Sequence, residues 1–182
     1  MKFLPTKFNT VFIVEPRTFQ DIRGGFVKIY QHSNFLSIGM HGKFVESYYS
    51  ISHKNVIRGM HFQTPPAEHT KLVYVTQGKI LDAVVDIRKK SPTYGQYITT
   101  ELSAENRHAI FIPPGFAHGF LSLEDGSCVV YAQTSEYTQE HDLGINALSC
   151  GIPWSVKDPI LSERDNAFPA LKDFPSAFMF KE

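Results

Sequence analysis

The strongest constraint on this chain is a succession of short segments rich in Val, Ile, Phe and Tyr. They run Val11–Val14, Phe26–Tyr30, Phe44–Ile51, Val56–Phe62, Leu72–Thr76, Ile80–Ile87, Tyr97–Leu102, His108–Ile112, Gly119–Leu123 and Cys128–Thr134. Gly, Pro, Asn or charged turn residues separate them at fairly even spacing, which is the signature of strands. Many short strands with turns between them fold as a sandwich or a barrel. Helix signals are confined to "SNFLSIGM" after Tyr30 and "SERDNAFPALKDF" near the end. In the second, Ser162 is a candidate N-cap with Asp165 three residues on, close to a capping box. No repeat or low-complexity tract interrupts the chain. The expectation is one mostly antiparallel β domain over residues 1–182.

Within that pattern, "VIRGMHFQTPPAEHTKLVYVTQGK" (Val56 to Lys79) places Arg58, His61 and Lys71 in strands that should be filling a core. Strand side chains alternate between faces. Lys71 therefore shares a face with Val73 and Val75, and Asp82 shares one with Val84 and Asp86. A lysine and aspartates among valines inside a barrel are desolvated and need partners. His61 and Gln63 fall together, whereas strict alternation puts Arg58 on the other face. Gly59 between them is a place for a bulge that re-aims Arg58.

Composition narrows the classes of function. The 182 residues suffice for a full core without staples. Eighteen basic and eighteen acidic residues give a formal net charge of +0, which argues against a nucleic-acid surface or a polybasic membrane patch. It leaves room for a local basic pocket suited to a phosphorylated small molecule. Cys128 and Cys150 are too few for a disulfide framework and are expected to be structural thiols. The N-terminal stretch has no apolar segment before a small-residue cleavage site, and no run approaches membrane-spanning length. A cytoplasmic protein is expected.

Two chemistries suit the polar set. In the first, His61, His69 and His118, with Glu68, hold a metal ion. The sequence supplies a single histidine at "GMHFQ" where such barrels carry a His-x-His pair, and solvated histidines are the default expectation for His32, His41, His53, His69 and His108. The second is metal-free acid–base catalysis. His61 is the natural base, and Lys71 can hold negative charge developing on a carbonyl oxygen. Tyr131 or Tyr137 can return a proton to carbon, and the planar forks of Arg23 and Arg58 match diphosphate oxygens.

The stretches "FQDIRGGF", "VIRGMHFQ", "TKLVYVTQGKILDAVVDIRKKSPTYGQY", "LSAENRHAIFIPPGFAHGFLSL", "EYTQEHDLGI" and "PILSERDNAFP" together resemble the nucleotide-sugar 3,5-epimerases typified by dTDP-4-dehydrorhamnose 3,5-epimerase. The resemblance covers nearly the whole chain and implies a cupin-type, double-stranded β-helix (jelly-roll) barrel. It further implies a cytoplasmic homodimer in which N-terminal strands contribute to the partner's sheet. His61 is implied as the base and Asp165 as its carboxylate partner, against the alternative that Asp165 merely caps the C-terminal helix. Lys71 is implied to stabilise an enolate with Asp82 as a supporting charge, and Tyr131 to reprotonate from the opposite face. Arg23, Phe26, Lys28, Glu46, Arg58, Gln63, Asp82, His118 and Tyr137 are implied for the substrate pocket. The substrate would be a nucleotide-linked 4-keto-6-deoxy sugar of a surface-polysaccharide pathway, whose ketone acidifies C3 and C5, with no metal or redox cofactor.

Departures from the family pattern gather at its nucleotide end. Lys28 follows Val27 where a glutamate is common after "GGF". Glu46 stands for a glutamine, Tyr48 for an asparagine, Tyr74 for an arginine and Ala132 for a lysine. Glu46 could accept two hydrogen bonds from the guanine edge, so a GDP-linked hexose or heptose is the expectation, with the dTDP-linked hexose as the alternative. Further alternatives are a single-centre C3 epimerase, a 3,4-ketoisomerase, a metal-dependent cupin, and a non-catalytic nucleotide-sugar-binding cupin.

Overall fold

The structure is a computed structural model that describes residues 1–40 and 42–180. Its strands are β1 (Lys2–Pro5), β2 (Phe12–Glu15), β3 (Arg17–Asp21), β4 (Gly24–Lys28), β5 (Glu46–Ser52), β6 (Ile57–Gln63), β7 (Lys71–Gln77), β8 (Lys79–Asp86), β9 (Tyr97–Ser103), β10 (Ala109–Ile112), β11 (Phe116–Ser122), β12 (Ser127–Gln133) and β13 (Asp142–Gly144). Two short helices, α1 (His32–Phe35) and α2 (Glu163–Ala167), lie where the two helix signals fall.

Two antiparallel sheets make the body. One has the order β1-β2-β10-β7-β12-β5 and the other β13-β6-β11-β8-β9, while β3 and β4 pair only with each other. Between the sheets lies a core of Val73, Val75, Ile80, Val84, Ile110, Phe120 and Val129. The outer face of the five-stranded sheet is covered by the C-terminal segment, with Ile145, Ile152, Phe174 and Phe178 against Met60, Phe62 and Val85. Phe35 and Met40 cover part of the other sheet against Leu72 and Phe111. Strands such as "KILDAVVD" are therefore apolar on both faces because both faces are buried. This is the mostly β, two-sheet architecture expected from the strand pattern, and its form agrees with the jelly roll that the resemblance implies.

The bulge anticipated at Gly59 is present. His118 of β11 pairs with His61 of β6, and Phe120 with Arg58, so Gly119 on one strand faces both Gly59 and Met60 on the other. Ile57 and Met60 accordingly share the outer core at a spacing of three, and Arg58 and His61 share the inner face. Gly59 has φ +137°, and a Cβ there would sit 2.5 Å from Gly119 Cα, so the crossing admits no side chain.

The N-terminal strands divide into two pairs. β1 and β2 complete the chain's own six-stranded sheet through β10. The hairpin β3–β4 alone stands apart, with Phe19 and Phe26 exposed. Both cysteines are free, and burial pushes the Cys150 thiol up to about 11, which keeps it protonated.

Candidate active site

The polar residues of the inner faces gather at one end of the sandwich around a cleft of about 290 Å³. Its lining includes Arg58, His61 and Gln63 from β6, His118 from β11, Lys71 from β7, Tyr131 from β12, and Tyr137 from the segment that follows β12. Strand periodicity explains part of the grouping: Lys71 shares its inward face with Val73 and Val75, Tyr131 with Val129, and His118 with Phe116 and Phe120.

His61 Nε2 lies 2.8 Å from Asp165 Oδ1. Asp165 is in α2, whose N-cap is Ser162; the Ser162 Oγ accepts from the Asp165 N–H at 3.1 Å. The Asp165 carboxylate does not turn back to cap the helix, and its Oδ2 instead accepts the Gly59 N–H at 3.1 Å. Burial works to raise the Asp165 carboxyl, but the bonds from His61 and Gly59 outweigh it and leave the group below its ordinary value. An ionised carboxylate only accepts, so the His61 proton sits on Nε2 and the lone pair on Nδ1. Phe168, at the end of α2, meets the His61 ring edge-on at 5.8 Å.

Lys71 is almost fully buried and donates to the His61 carbonyl at 3.2 Å. Burial lowers it to about 8, while Asp142 and Asp82 pull it upward. Asp82 is completely buried and raised by burial against the pull of His118, whose Nε2 is 2.7 Å from Asp82 Oδ2. Asp82 Oδ1 has no partner among the described residues. Tyr131 stacks on Tyr48 with ring centroids 4.8 Å apart, meets His118 edge-on, and places its hydroxyl 3.4 Å from Ser50 Oγ. Burial pushes the Tyr131 phenol well above its usual range, and Tyr48 to about 12. Asp86, at the other end of β8, is held by Arg88, Ser91 and Thr93 and has no part in the cleft.

Gln63 is a buried hub. Its Oε1 accepts the Thr138 N–H at 2.7 Å, and its Nε2 donates to the Ala67 carbonyl at 2.8 Å and to the Glu136 carbonyl at 3.2 Å. Together with Glu46 it fixes the segment that carries Tyr137. Glu46 Oε2 accepts from Gln133 Nε2 at 2.6 Å and from the Tyr137 N–H at 2.8 Å. That oxygen is therefore occupied by the chain's own donors, and Glu46 is not among the side chains lining the cleft. Glu46, expected to read a guanine edge, thus clamps the backbone of Tyr137 through this oxygen. Arg58 leans outward, its Nε donating to Ser52 Oγ at 2.9 Å.

Of the expected pocket residues, Asp82 and Glu46 stand behind the lining, against His118 and Gln133, and three more, Arg23, Phe26 and Lys28, lie away from this cleft within a single chain. Arg23 pairs with Asp21 at 2.6 Å in the β3–β4 turn, where it lines a separate concavity with Phe19 and Phe26. Lys28 lies beside Met1, Arg17 and Asn34. Sequence reasoning in turn missed Ser50, Asp142 and Arg164 in the lining. Arg164 had a signal in standing directly before Asp165.

The histidines are distributed by partner. His53 is exposed against Asp125, His32 and His108 are half-buried, and His41 lies outside the described residues. His69, expected to be solvated, is buried because the loop 64–70 folds under Gln63. His61 and His118 each face a carboxylate, and among the described residues no three His, Cys, Asp or Glu side chains group as metal ligands.

A family model described as dTDP-4-dehydrorhamnose 3,5-epimerase matches residues 5–173. The chain is 40% identical over 179 residues to the dTDP-4-dehydrorhamnose 3,5-epimerase of Methanothermobacter thermautotrophicus, covering 96% of both. Its fold is similar, with a TM-score of 0.94 and 33% identity, to a dTDP-6-deoxy-D-glucose-3,5-epimerase of Legionella pneumophila solved with dTDP-4-keto-L-rhamnose, covering 100% of this chain and 99% of the other. A 3'-monoepimerase of Streptomyces bikiniensis, solved with dTDP-quinovose, is similar at a TM-score of 0.87 and 29% identity over 92% of this chain and 87% of its own.

Proposed function

Since the chain belongs to the dTDP-4-dehydrorhamnose 3,5-epimerase family, we propose that it inverts C3 and C5 of a dTDP-linked 4-keto-6-deoxy sugar through an enolate. The observation that carries this reading is the origin of the two proton-handling groups. His61 comes from the five-stranded sheet and Tyr131 from the six-stranded sheet, and both line one cleft. Inversion of a carbon requires a proton taken from one face and given to the other, and two sheets closing on one substrate supply the two faces.

His61 Nδ1 takes the proton, and Asp165 holds the ring and balances the imidazolium. The bonding pair of the broken C–H bond moves into the ring as the ketone oxygen gains charge, which Lys71 stabilises. Tyr131 then gives its hydroxyl proton to the carbon from the other side. Gln63, Glu46 and Tyr137 shape the wall, and His118 and Asp82 support the floor. Arg58, Arg23, Phe26 and Lys28 are assigned to the nucleotide diphosphate, the last three from the hairpin of a second chain, because within one chain they lie apart from the cleft.

Thymidine is favoured over guanine because Glu46 is engaged by Gln133 and Tyr137. The test is deuterium wash-in from D₂O, followed by NMR, with dTDP- and GDP-linked 4-keto-6-deoxy sugars in parallel. Label at both C3 and C5 of the dTDP compound is expected. Label at C3 alone would make the protein a monoepimerase, faster exchange in the GDP compound would overturn the nucleotide assignment, and none in either would refute the proposal.

A further inference from the structure

His61 and Asp165 stand 104 residues apart in the chain and meet only because α2 is set down beside β6. A helix of five residues does not hold its own place, so whatever fixes α2 also fixes the base and its carboxylate. Phe168 follows α2 and precedes Pro169, which drives it to extended backbone, with φ −63° and ψ 147°. Its ring is laid over β13 at Gly144, the residue that pairs with His61 across the ladder. A Cβ at position 144 would fall 2.3 to 2.6 Å from three carbons of that ring. Gly144 has no positive φ to require a glycine, so it is the ring that excludes a side chain here. The same ring meets the imidazole edge-on, with centroids 5.8 Å apart and planes at 72°. The Arg164 guanidinium lies over it, 5.1 Å from the centroid, and Arg164 is tied to β13 through the carbonyl and the carboxylate of Asp142.

The geometry points to Phe168 as a positioning residue for the base: seated where a side chain at 144 would stand, its ring backs the His61 imidazole and sets how far α2, with Asp165, stands from β6. This rests on the epimerase reading of the cleft and deepens it. Phe168 is not among the side chains lining the cleft, so it acts through His61 and not on the sugar. The lone pair of Nδ1 lies in the plane of the imidazole, and the proton it takes must lie along that direction. The Cβ–Cγ bond and the Asp165 bond at Nε2 hold the imidazole near opposite ends, which leaves rotation about the line between them. That rotation swings Nδ1 out of line. A packed aromatic neighbour stops it, and aromatic pairs favour the edge-to-face arrangement found here. The Asn146 N–H and Nδ2, donating to the Pro169 and Asn166 carbonyls at 2.9 and 3.2 Å, keep the end of α2 and the ring in that seat.

The experiment compares Phe168→Ala, Gly144→Ala and the double variant. The readouts are the rate of deuterium entry at C3 of the dTDP-linked 4-keto-6-deoxy sugar, the Kd for dTDP alone, and the His61 Nε2–H signal in long-range ¹H–¹⁵N correlation. Misplacing the base predicts a fall of about tenfold or more in kcat for each single variant, with KM and dTDP affinity little changed. The two losses should not add, because in the double variant the methyl enters the space that the ring has left. The Nε2–H signal of the wild type should broaden or give way to a mixture of tautomers in both single variants. A loss of fold stability alone would leave that signal and the kcat of the folded protein unmoved. Should Phe168→Ala not fold, Phe168→Leu, which keeps apolar bulk without the flat ring, takes its place. Wild-type exchange in the Phe168 variant, additive losses in the double variant, or a parallel loss of exchange and dTDP binding would overturn the inference while leaving the epimerase reading intact. So would an unmoved His61 signal in a slowed variant. A wild-type protein that exchanges no label would end both.

Discussion

Lys71 is where the electrostatics of single residues makes a sharp demand. Its ammonium is wanted charged, yet burial lowers it to about 8, with Asp142 and Asp82 holding it from falling further. Below that value the side chain is an ammonium and stabilises an oxyanion; above it the amine is neutral and does so poorly. The kcat/KM profile should therefore fall as pH rises through about 8. Asp82→Asn removes a neighbour that favours the charged form, so it should move that limb to lower pH. Lys71→Met should abolish the limb and lower the rate by about 10²–10³-fold. A profile for Lys71→Met that keeps the wild-type alkaline limb would assign it to another group. Residue-scale reading from sequence worked where one periodicity settled a side chain's face, as for Lys71 and Asp82. It misjudged His69, whose burial depends on a loop folding beneath Gln63, and it gave no sign that Glu46 Oε2 accepts a backbone N–H ninety-one residues away in sequence.

At the scale of elements, strand chemistry was legible because branched and aromatic residues mark pleated surfaces on either face. Each expected strand has a counterpart, and the three strands not foreseen, β1, β3 and β13, are short or weakly patterned. β3 is "RTFQD", exposed throughout, and β13 is three residues long. The bulge at Gly59 was readable only as a possibility, because a glycine marks where a strand can deform without saying that it does. The strand β5 raises the question of partners. It pairs with β12 on one side, is an edge of its sheet, and exposes Tyr49 and Ile51. Exposed apolar edges recruit other strands. We propose that this edge receives the β3–β4 hairpin of a second chain, which would carry Arg23 and Phe26 toward the cleft. Sedimentation should give a particle of twice the 20.6 kDa chain mass. Ile51→Lys should weaken that dimer and raise KM for the nucleotide sugar. A fully active monomeric wild type would contradict the arrangement.

For the molecule as a whole, the proposed reaction divides the work between the two sheets. The five-stranded sheet contributes His61, the proposed base, and, through the Gly59 N–H, helps to seat the Asp165 carboxylate beside it. The six-stranded sheet contributes the ammonium, the stacked Tyr131–Tyr48 pair and the hydroxyl aimed at Ser50. The core between the sheets keeps these groups at a fixed separation, so the chemistry depends on the sandwich staying closed rather than on any one loop. The division between sheets was not readable in the sequence, since it follows from strand order and not from alternation along a strand. Its most direct test is Tyr131→Phe, followed by deuterium wash-in from D₂O and assignment of configuration at C3 and C5. Opposite-face proton handling predicts that the variant still takes up label by way of His61, with configuration retained, while inverted product falls by about 10²-fold or more. Inverted product formed at the wild-type rate would contradict it, because a proton would then reach the far face without Tyr131.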